Sequence, residues 1–381
     1  MDELPPVRNY KFRLYPTAMQ KQRLLETLDG CRWVYNYFVG KNMSRQDMQF
    51  ALTELKEAEP FLRNYHSKML QMVVHKIDVA HRALRALRRN GHRIGKLHYL
   101  TDEEYSSFTY NQSGFKISNS ELWLSKIGRI RIKLHRQPIN IKQVTVKQRN
   151  SKWYAVVACE FAKPLFRFIN PARSIGIDVG ITKFSHDSEN HIVENPLFLR
   201  QMLKPLRRAN RTLSCRQKGS NNWKKAKSRL QRLHERIRNK RNDFLHKTSS
   251  YYSKRFDIVF LERLQVLNMI KNFHLARSII DSGWSTFKQM LQYKVNIVLE
   301  VSAAYTSIKC SRCNHQVPKV LAVRTHHCGM CGLAIDRDFN SSLNVKQDGL
   351  KLLPVERREV TPAEILNDSL KQELRIPVFD R

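Results

Sequence analysis

Ser174-Ile-Gly-Ile-Asp178-Val-Gly-Ile-Thr-Lys-Phe184 is the stretch on which the fold turns. It is a short apolar strand with a single carboxylate inside it and glycines at 176 and 180 that permit close backbone approach. An unpaired buried aspartate is costly. It persists where it binds a hard cation such as Mg²⁺, which takes carboxylate oxygens. Working outward, Asp257-Ile-Val-Phe-Leu-Glu262 is a second short buried strand that ends on an acid in the same way. Asp336 and Asp338 precede Asn340-Ser-Ser-Leu-Asn344, which predicts a helix from about Asn340. Taken singly, a strand-end acid is more often a satisfied surface residue. Three acids from distant parts of a chain can instead converge at the ends of adjacent strands, hold two Mg²⁺ ions and hydrolyse a phosphodiester. Asp178, Glu262 and Asp338 are the candidates.

Between the second and third acids lie Cys310-Ser-Arg-Cys313 and Cys328-Gly-Met-Cys331, two C-x-x-C knuckles separated by 14 residues. Four thiolates at this spacing close a tetrahedron around one Zn²⁺ and leave no open position, which makes the site structural. It would hold a small ribbon that has almost no core of its own. His315, His326 and His327 are nearby imidazoles that could substitute as ligands. The other three of the seven cysteines, Cys31, Cys159 and Cys215, are scattered. This usage favours a reducing compartment and a metal site over a disulfide scaffold.

The chain has 381 residues, too many for one ordinary domain. Its 68 Lys and Arg against 33 Asp and Glu give a formal net charge of +35, which opposes compactness unless a polyanion neutralises it. Nucleic acid is the expected partner, because each neutralised phosphate releases a counterion. No apolar run reaches the roughly 20 residues of a membrane span, and Met1–Pro16 carries no signal-peptide core. A membrane role is therefore not expected, and the expected location is the cytoplasm.

The basic residues are patterned. Tyr10, Phe12 and Leu14 alternate with Lys11, Arg13 and Tyr15 along a first strand that Pro16 ends, and Thr17 is a fair N-cap for a helix from Ala18. Helical periodicity then runs to about Asn90, through Leu24, Leu25, Leu28, Val34 and Tyr35 and later Leu70, Val73, Ile77, Leu84 and Leu87. Phe108–Phe161 reads as β. Within it, Ile130, Ile132 and Leu134 alternate with Arg129, Arg131, Lys133 and His135. Such a face suits a phosphate backbone, and a solvated outer face gives the same pattern. Phe168–Arg173 reads as a linker. Residues 201–250 hold 16 Lys and Arg against Glu235 and Asp243, with a break at Gly219-Ser-Asn-Asn222. Leu230, Leu233, Ile237 and Leu245 give the second helix one apolar side, leaving Lys224, Lys225, Arg229, Arg232 and Arg236 as candidate phosphate contacts.

With these residues in view, the sequence resembles the TnpB family, transposon-encoded relatives of the type V CRISPR effectors. Tyr10-Lys-Phe-Arg-Leu-Tyr-Pro16 and Cys31-Arg-Trp-Val-Tyr-Asn36 are similar to the family's opening strand and first helix. Ser174–Phe184 resembles its first RuvC motif, Phe260-Leu-Glu262 the second, and Asp336-Arg-Asp-Phe-Asn-Ser-Ser342 the third. The stretches Lys218–Asn222, His234–Arg238 and Asp243–Lys247 resemble its basic helical insert. Asn314 stands after the first knuckle where the family usually has glycine.

The resemblance implies an α/β multidomain protein: a β-barrel wedge with an inserted helical recognition lobe, then an RNase-H-like RuvC domain with an inserted zinc ribbon. The expected boundaries are 1–16 and 96–170 for the wedge, 17–95 for the helical lobe, 171–304 and 336–348 for the nuclease, 305–335 for the ribbon and 349–381 for a tail. Asp178, Glu262 and Asp338 take the role of catalytic, metal-binding acids with two Mg²⁺, and the four cysteines hold one Zn²⁺. A noncoding guide RNA would pair with double-stranded target DNA, while the protein reads a short adjacent motif and the shape of the heteroduplex. Two other readings are weighed against a nuclease. A non-cutting RNA-guided repressor typically lacks one or more of the acids, all of which are present here. A DNA transposase would not be expected to carry a zinc knuckle just before its third acid.

Overall fold

The computed structural model describes residues 7–41, 43–160, 169–320 and 323–353. The chain divides into two compact units, Met1–Pro164 and Leu165–Arg381. Most of the expected tail, 354–381, and part of the expected linker lie outside the described residues.

The first unit opens with β1 (Val7–Tyr15), followed by α1 (Ala18–Val39), α2 (Arg45–Ala58), a 3₁₀ turn (Pro60–Asn64) and α3 (Ser67–Arg89). Six strands complete it: β2 (Ser107–Asn111), β3 (Phe115–Ser118), β4 (Glu121–Leu124), β5 (Gly128–Lys133), β6 (Ile141–Arg149) and β7 (Lys152–Glu160). They form an antiparallel sheet in the order β2-β6-β7-β1-β5-β4-β3, so the first strand sits in the middle and the helices are inserted between it and β2. Thr17 caps α1 as expected. Its hydroxyl accepts the Gln20 amide, and the Gln20 side chain accepts the Thr17 amide, which satisfies two otherwise orphaned donors.

Alternation along the strands decides the core. Phe12, Leu14, Ile130, Ile132, Val144, Val146, Ala155 and Val157 are buried and meet Leu24, Leu28, Val34, Leu70, Val73 and Ile77 from the helices. Leu25 and Leu87, expected on the apolar faces, point outward instead, at 44% and 42% exposure. Leucine spacing alone does not separate an edge position from a buried one.

The second unit is built on β8 (Ser174–Val179), β9 (Lys183–Asp187), β10 (Ile192–Glu194), β11 (Ile258–Glu262) and β12 (Ile297–Val301), ordered β10-β9-β8-β11-β12. The first three strands pair antiparallel, and β11 and β12 run parallel to β8. The basic stretch forms α4 (Phe198–Ser214) and α5 (Asn221–Arg255), separated at the expected break. Three helices, α6 (Val266–Met269), α7 (Phe273–Ser282) and α8 (Trp284–Lys294), connect β11 to β12. The run Ile258-Val-Phe-Leu is apolar throughout because β11 is covered on both faces. Val259 and Leu261 pack with Leu245, Phe287 and Leu291 on one side, and Ile258 and Phe260 pack with Leu299 and Val345 on the other.

After β12 come a hairpin, β13 (Thr325–His327) and β14 (Ala334–Asp336), and then α9 (Arg337–Leu350). This last helix begins three residues before the expected start near Asn340. Asp336 is its N-cap, accepting the amides of Asp338 and Phe339 at 2.8 and 3.2 Å. A capping aspartate extends the helix backward over residues that read as a loop.

Candidate functional site

Two glycines let α9 settle directly on the sheet of the second unit. A Cβ on Gly176 would lie 2.3 Å from the Ser342 carbonyl oxygen and 2.5 Å from the Lys346 nitrogen, and one on Gly349 would meet the Phe260 ring at 2.2 Å. The helix backbone therefore touches β8 two residues before Asp178. In the parallel β8–β11 ladder, Ile177 pairs with Leu261, which brings Asp178 and Glu262 to matching positions where the two strands end. Carboxyl ends of parallel strands are where open α/β sheets place ligands. Asp338 reaches the same place from the first turn of α9.

Asp178 and Glu262 both lie close enough to neighbouring acids to feel their charge. Burial pushes the Asp178 carboxyl well above the usual carboxylate range; the Glu262 and Asp338 charges add to this, Arg337 opposes it, and Asp336 adds a little more. Burial also raises Glu262, against hydrogen bonds from Thr306 and Ser341 and with a further push from Asp338. Those hydroxyls donate to the same oxygen, Oε1, at 2.6 and 3.0 Å. Arg337 donates to Asp338 Oδ1 at 3.3 Å. Closely grouped carboxylates that hinder one another's ionisation form an all-oxygen donor set suited to a hard divalent cation. Among the described residues only Cys310, Cys313, Cys328 and Cys331 stand close enough together to be read as a metal-ligand group, so what speaks for a divalent cation at the acids is the chemistry of the donors, all carboxylate oxygens.

Asp336, two residues away, is engaged differently. Its Oδ1 caps α9, and its Oδ2 accepts from Lys183 Nζ at 2.8 Å. His186 Nδ1 lies 3.4 Å from Oδ1, with its ring stacked on Phe339. Burial works against ionisation of Asp336, but the Lys183 hydrogen bond and the Phe339 and Asp338 amides hold its pKa below the ordinary value.

The four cysteines converge as their spacing implies, with all four sulfurs within 4.8 Å of one another. Cys310 and Cys331 lie 3.6 Å apart, and Cys313 and Cys328 lie 3.5 Å apart. A tetrahedron of thiolates about 2.3 Å from zinc has edges of about 3.8 Å, so the set fits that ion and is far too open for disulfides. The paired thiols split: the Cys331 amide leads in pulling Cys328 down to about 6, while Cys313, despite the His315 amide, is pushed up to about 12 by burial and by hydrogen bonds among the four sulfurs. Each knuckle ends on a left-handed residue, Asn314 at φ 62° and Gly332 at φ 71°. Asparagine tolerates that region, so Asn314 does the work of the usual glycine. Of the three nearby histidines, none belongs to the metal-ligand group; His326 is buried and bonded to Lys319 instead.

The ribbon is tied to the acids. Asn340 donates to the Lys309 carbonyl and accepts the Ser311 amide, and Asn344 donates to the Thr306 and Lys309 carbonyls. Thr306 in turn donates to Glu262. One face of α9 thus holds the first knuckle while its first turn carries Asp338. Thr306, Ser341, Lys183 and His186 were not evident in the sequence. A hydroxyl or cation that bonds a carboxylate some 40 or 150 residues away leaves no local pattern.

The candidate nucleic-acid residues form two groups. In the first unit, register places Arg13 opposite Lys133 and Tyr15 opposite Arg131. Arg129, Arg131 and Lys133 are exposed, while Arg13 is half-buried with its guanidinium over the Tyr154 ring. Like charges facing across a sheet are unfavourable unless an anion lies over them. In the second unit, Lys224, Lys225, Arg229, Arg232 and Arg236 are all exposed on α5, opposite Ile237 and Leu245, which are buried.

Residues 167–272 match the family described as "Probable transposase", residues 284–345 the "Cas12f1-like, TNB domain", and residues 7–46 a "Helix-turn-helix domain". The last segment folds here as β1, α1 and the start of α2. A Streptomyces pristinaespiralis protein named "Putative RNA-guided DNA endonuclease" is 32% identical over 370 residues, covering 90% of this chain and 89% of its own. The Escherichia coli K12 protein "Putative RNA-guided DNA endonuclease InsQ" is 30% identical over 380 residues, covering 90% and 92%. Among solved structures, CasPhi-2 (Cas12j) bound to crRNA aligns with a TM-score of 0.46 at 10% identity, covering 94% of this chain and 100% of that one. No helix among the described residues is long and apolar enough to cross a membrane.

Proposed function

The chain belongs to the TnpB family, and from that premise we propose that it is an RNA-guided DNA endonuclease whose catalytic acids are Asp178, Glu262 and Asp338. The observation that carries this reading is their convergence from β8, β11 and α9, with the Asp178 and Glu262 carboxyls both raised in pKa by burial and by neighbouring acids. The β10-β9-β8-β11-β12 order, three antiparallel strands followed by two parallel ones, supports an RNase-H-type, RuvC-like domain. The Cys310, Cys313, Cys328 and Cys331 set supports a zinc ribbon inserted before the third acid. The sheet β1–β7 with its inserted helices α1–α3 is assigned as wedge and recognition lobe.

In this reading the three carboxylates would hold two Mg²⁺, which would supply electrostatic stabilisation for phosphodiester hydrolysis. The chain's own residues set the geometry. Thr306 and Ser341 fix one oxygen of Glu262, leaving the other for a ligand. Arg337 orients Asp338 through a hydrogen bond to its Oδ1. Asp336 locks the first turn of α9. Affinity for the target comes from base pairing with a guide RNA and from the basic faces, so binding and cutting are separable.

The test is to sequence the RNA that co-purifies with the protein, reprogram its guide segment and offer plasmids carrying the matching target beside a randomised flank. Guide-dependent, Mg²⁺-dependent cutting is expected. Cutting without RNA would favour the transposase reading, and guide-dependent binding with no cutting the repressor reading.

A further inference from the structure

On the outer face of α1, Trp33 and Tyr37 stand one helical turn apart with their rings stacked, 5.6 Å between centroids and 12° between planes. Phe61, from the 3₁₀ turn, meets Trp33 edge-on at 5.3 Å and 87°. The three rings are 36%, 38% and 37% exposed, although Cys31, Val34 and Phe38 on the opposite side of α1 are buried in the core. The inner face of the helix is therefore already satisfied, and the aromatic trio is additional to it. Single exposed aromatics are ordinary, but three in contact mark a surface that receives something.

The ground beneath them is shaped. Gly30 has no side chain, and a Cβ there would fall 2.4 Å from the Tyr65 ring. Tyr65 therefore lies close against α1, its hydroxyl donating to the Glu26 carbonyl. A cavity of about 430 Å³ opens between these rings and Arg32. Its edge carries Asp29 and Arg32, paired with each other, and a further cation, Lys41, stands over Tyr37. Lys41 Nζ sits 3.4 Å from the Tyr37 ring centre. Arg32 gives one nitrogen to Asp29 at 3.1 Å, while its Nε–H has no partner among the described residues.

We propose that Trp33, Tyr37 and Phe61 form a stacking shelf for an unpaired base of an RNA strand, with Lys41 facing its phosphate. Flat π faces beside cations are how proteins hold single-stranded nucleic acid irrespective of sequence. An apolar peptide would leave Lys41 unused, and a duplex would not enter the cavity. RNA is favoured over single-stranded DNA because the proposal rests on the RNA-guided reading, in which a structured RNA stays bound and its loops present splayed bases.

The experiment measures binding of a short oligouridine, the matching oligothymidine and the co-purifying RNA to wild type and to Trp33→Ala, Trp33→Leu, Trp33→Phe and Phe61→Ala, all checked for folding by circular dichroism. Trp33→Ala and Phe61→Ala should weaken oligouridine by about fivefold to a hundredfold, the range for one stacked base. Trp33→Phe should recover most of the loss and Trp33→Leu should not, because leucine fills the space but has no π face. Ultraviolet crosslinking of bromouridine-substituted RNA should mark the peptides carrying Trp33 or Phe61. Unchanged affinity in the alanine variants, or equal rescue by leucine, overturns the shelf. A loss confined to oligothymidine overturns RNA as its occupant. Failure of the shelf leaves guided cutting by the acids intact, whereas failure of the nuclease reading would appear as RNA-bound protein that does not cut.

Discussion

Lys183 Nζ lies 2.8 Å from Asp336 Oδ2, joining the start of β9 to the N-cap of the helix that carries Asp338. The two acids of the Asp336-Arg-Asp338 motif thus have different tasks, one structural and one facing Asp178. The ion pair is partly exposed, 25% and 38%, so its own contribution is small. The cap contributes more, about 1 kcal/mol.

Asp336→Ala is therefore expected to lower stability by about 1 kcal/mol and to slow cleavage only several-fold. Asp336→Asn, which still caps, should be milder, and Lys183→Met should resemble it. Asp338→Ala, like Asp178→Ala and Glu262→Ala, should abolish cleavage and leave target binding nearly intact. Guided cleavage and binding assays on the six variants check this. Loss of cutting in Asp336→Ala with retention in Asp338→Ala would reverse the assignment.

The raised Asp178 carboxyl sets a pH dependence whose sign can be derived. A group whose folded pKa lies above its unfolded value binds its proton more tightly when folded. The resulting stability is present below the unfolded value, near 4 for aspartate, and is lost as pH rises through the folded value. Glu262 acts in the same direction. Protein with zinc retained but no added Mg²⁺ should thus become less stable as pH rises through that window. Asp178→Asn should flatten the decline and melt higher than wild type at neutral pH, while added Mg²⁺ should stabilise wild type far more than the variant. Melting curves across pH, with and without Mg²⁺, decide it; an Asp178→Asn protein that melts lower than wild type at neutral pH without Mg²⁺ contradicts the electrostatic picture.

Zinc should matter to cutting as well as to the ribbon. Thr306, at the root of the ribbon, donates to Glu262, and Asn344 of α9 holds the Thr306 and Lys309 carbonyls. Purified protein should contain about one zinc per chain. Cys328→Ser should release it and reduce cleavage together with stability. Asn344→Ala, which leaves the cysteines in place, should keep the zinc but cost about 1–3 kcal/mol through unpaired buried carbonyls. Metal analysis that finds no zinc in protein never exposed to chelator would refute the site.

Much of this was legible in the chain because its signals are local or periodic. Alternation in Gly128–Lys133 placed Ile130 and Ile132 inside and Arg129 and Arg131 outside. The knuckle spacing named the four sulfurs that meet. An acid within or at the end of each of two apolar runs marked Asp178 and Glu262. What escaped depends on pairing between distant segments. Nothing in one strand shows that Arg13 will face Lys133. Helical spacing marks Trp33 and Tyr37 as neighbours, but that Phe61 joins them follows from the turn after α2. The start of α9 differs for another reason: Asp336 stands before Arg337 as an N-cap, so the helix begins three residues ahead of Asn340.

The exposed cations of α5 make a quantitative prediction. Neutralising Lys224, Lys225, Arg229, Arg232 and Arg236 in turn should lower the slope of log affinity against log salt for RNA by roughly one per lost phosphate contact. Ile237 and Leu245 pack the other side of the helix, so folding should be unaffected. An unchanged slope would show that this face is merely solvated.

Gly176→Ala tests whether the contact of α9 with β8 sets the geometry of the acids. The added methyl would stand 2.3 Å from the Ser342 carbonyl oxygen, a backbone atom that cannot rotate away. The helix must shift outward, and the cost of such overpacking is about 1–3 kcal/mol. Because Asp338 lies in the first turn of the same helix, the shift also carries it away from Asp178. Cleavage should therefore fall far more than target binding, and the Mg²⁺ concentration needed for half-maximal cleavage should rise. Gly95→Ala is the matched control: a Cβ there meets nothing within 4 Å, and it should leave both stability and cleavage unchanged. If Gly176→Ala destabilises the protein while the surviving folded fraction cuts at the wild-type rate and Mg²⁺ dependence, the close contact serves packing alone, and Asp338 is positioned by its cap and the ribbon.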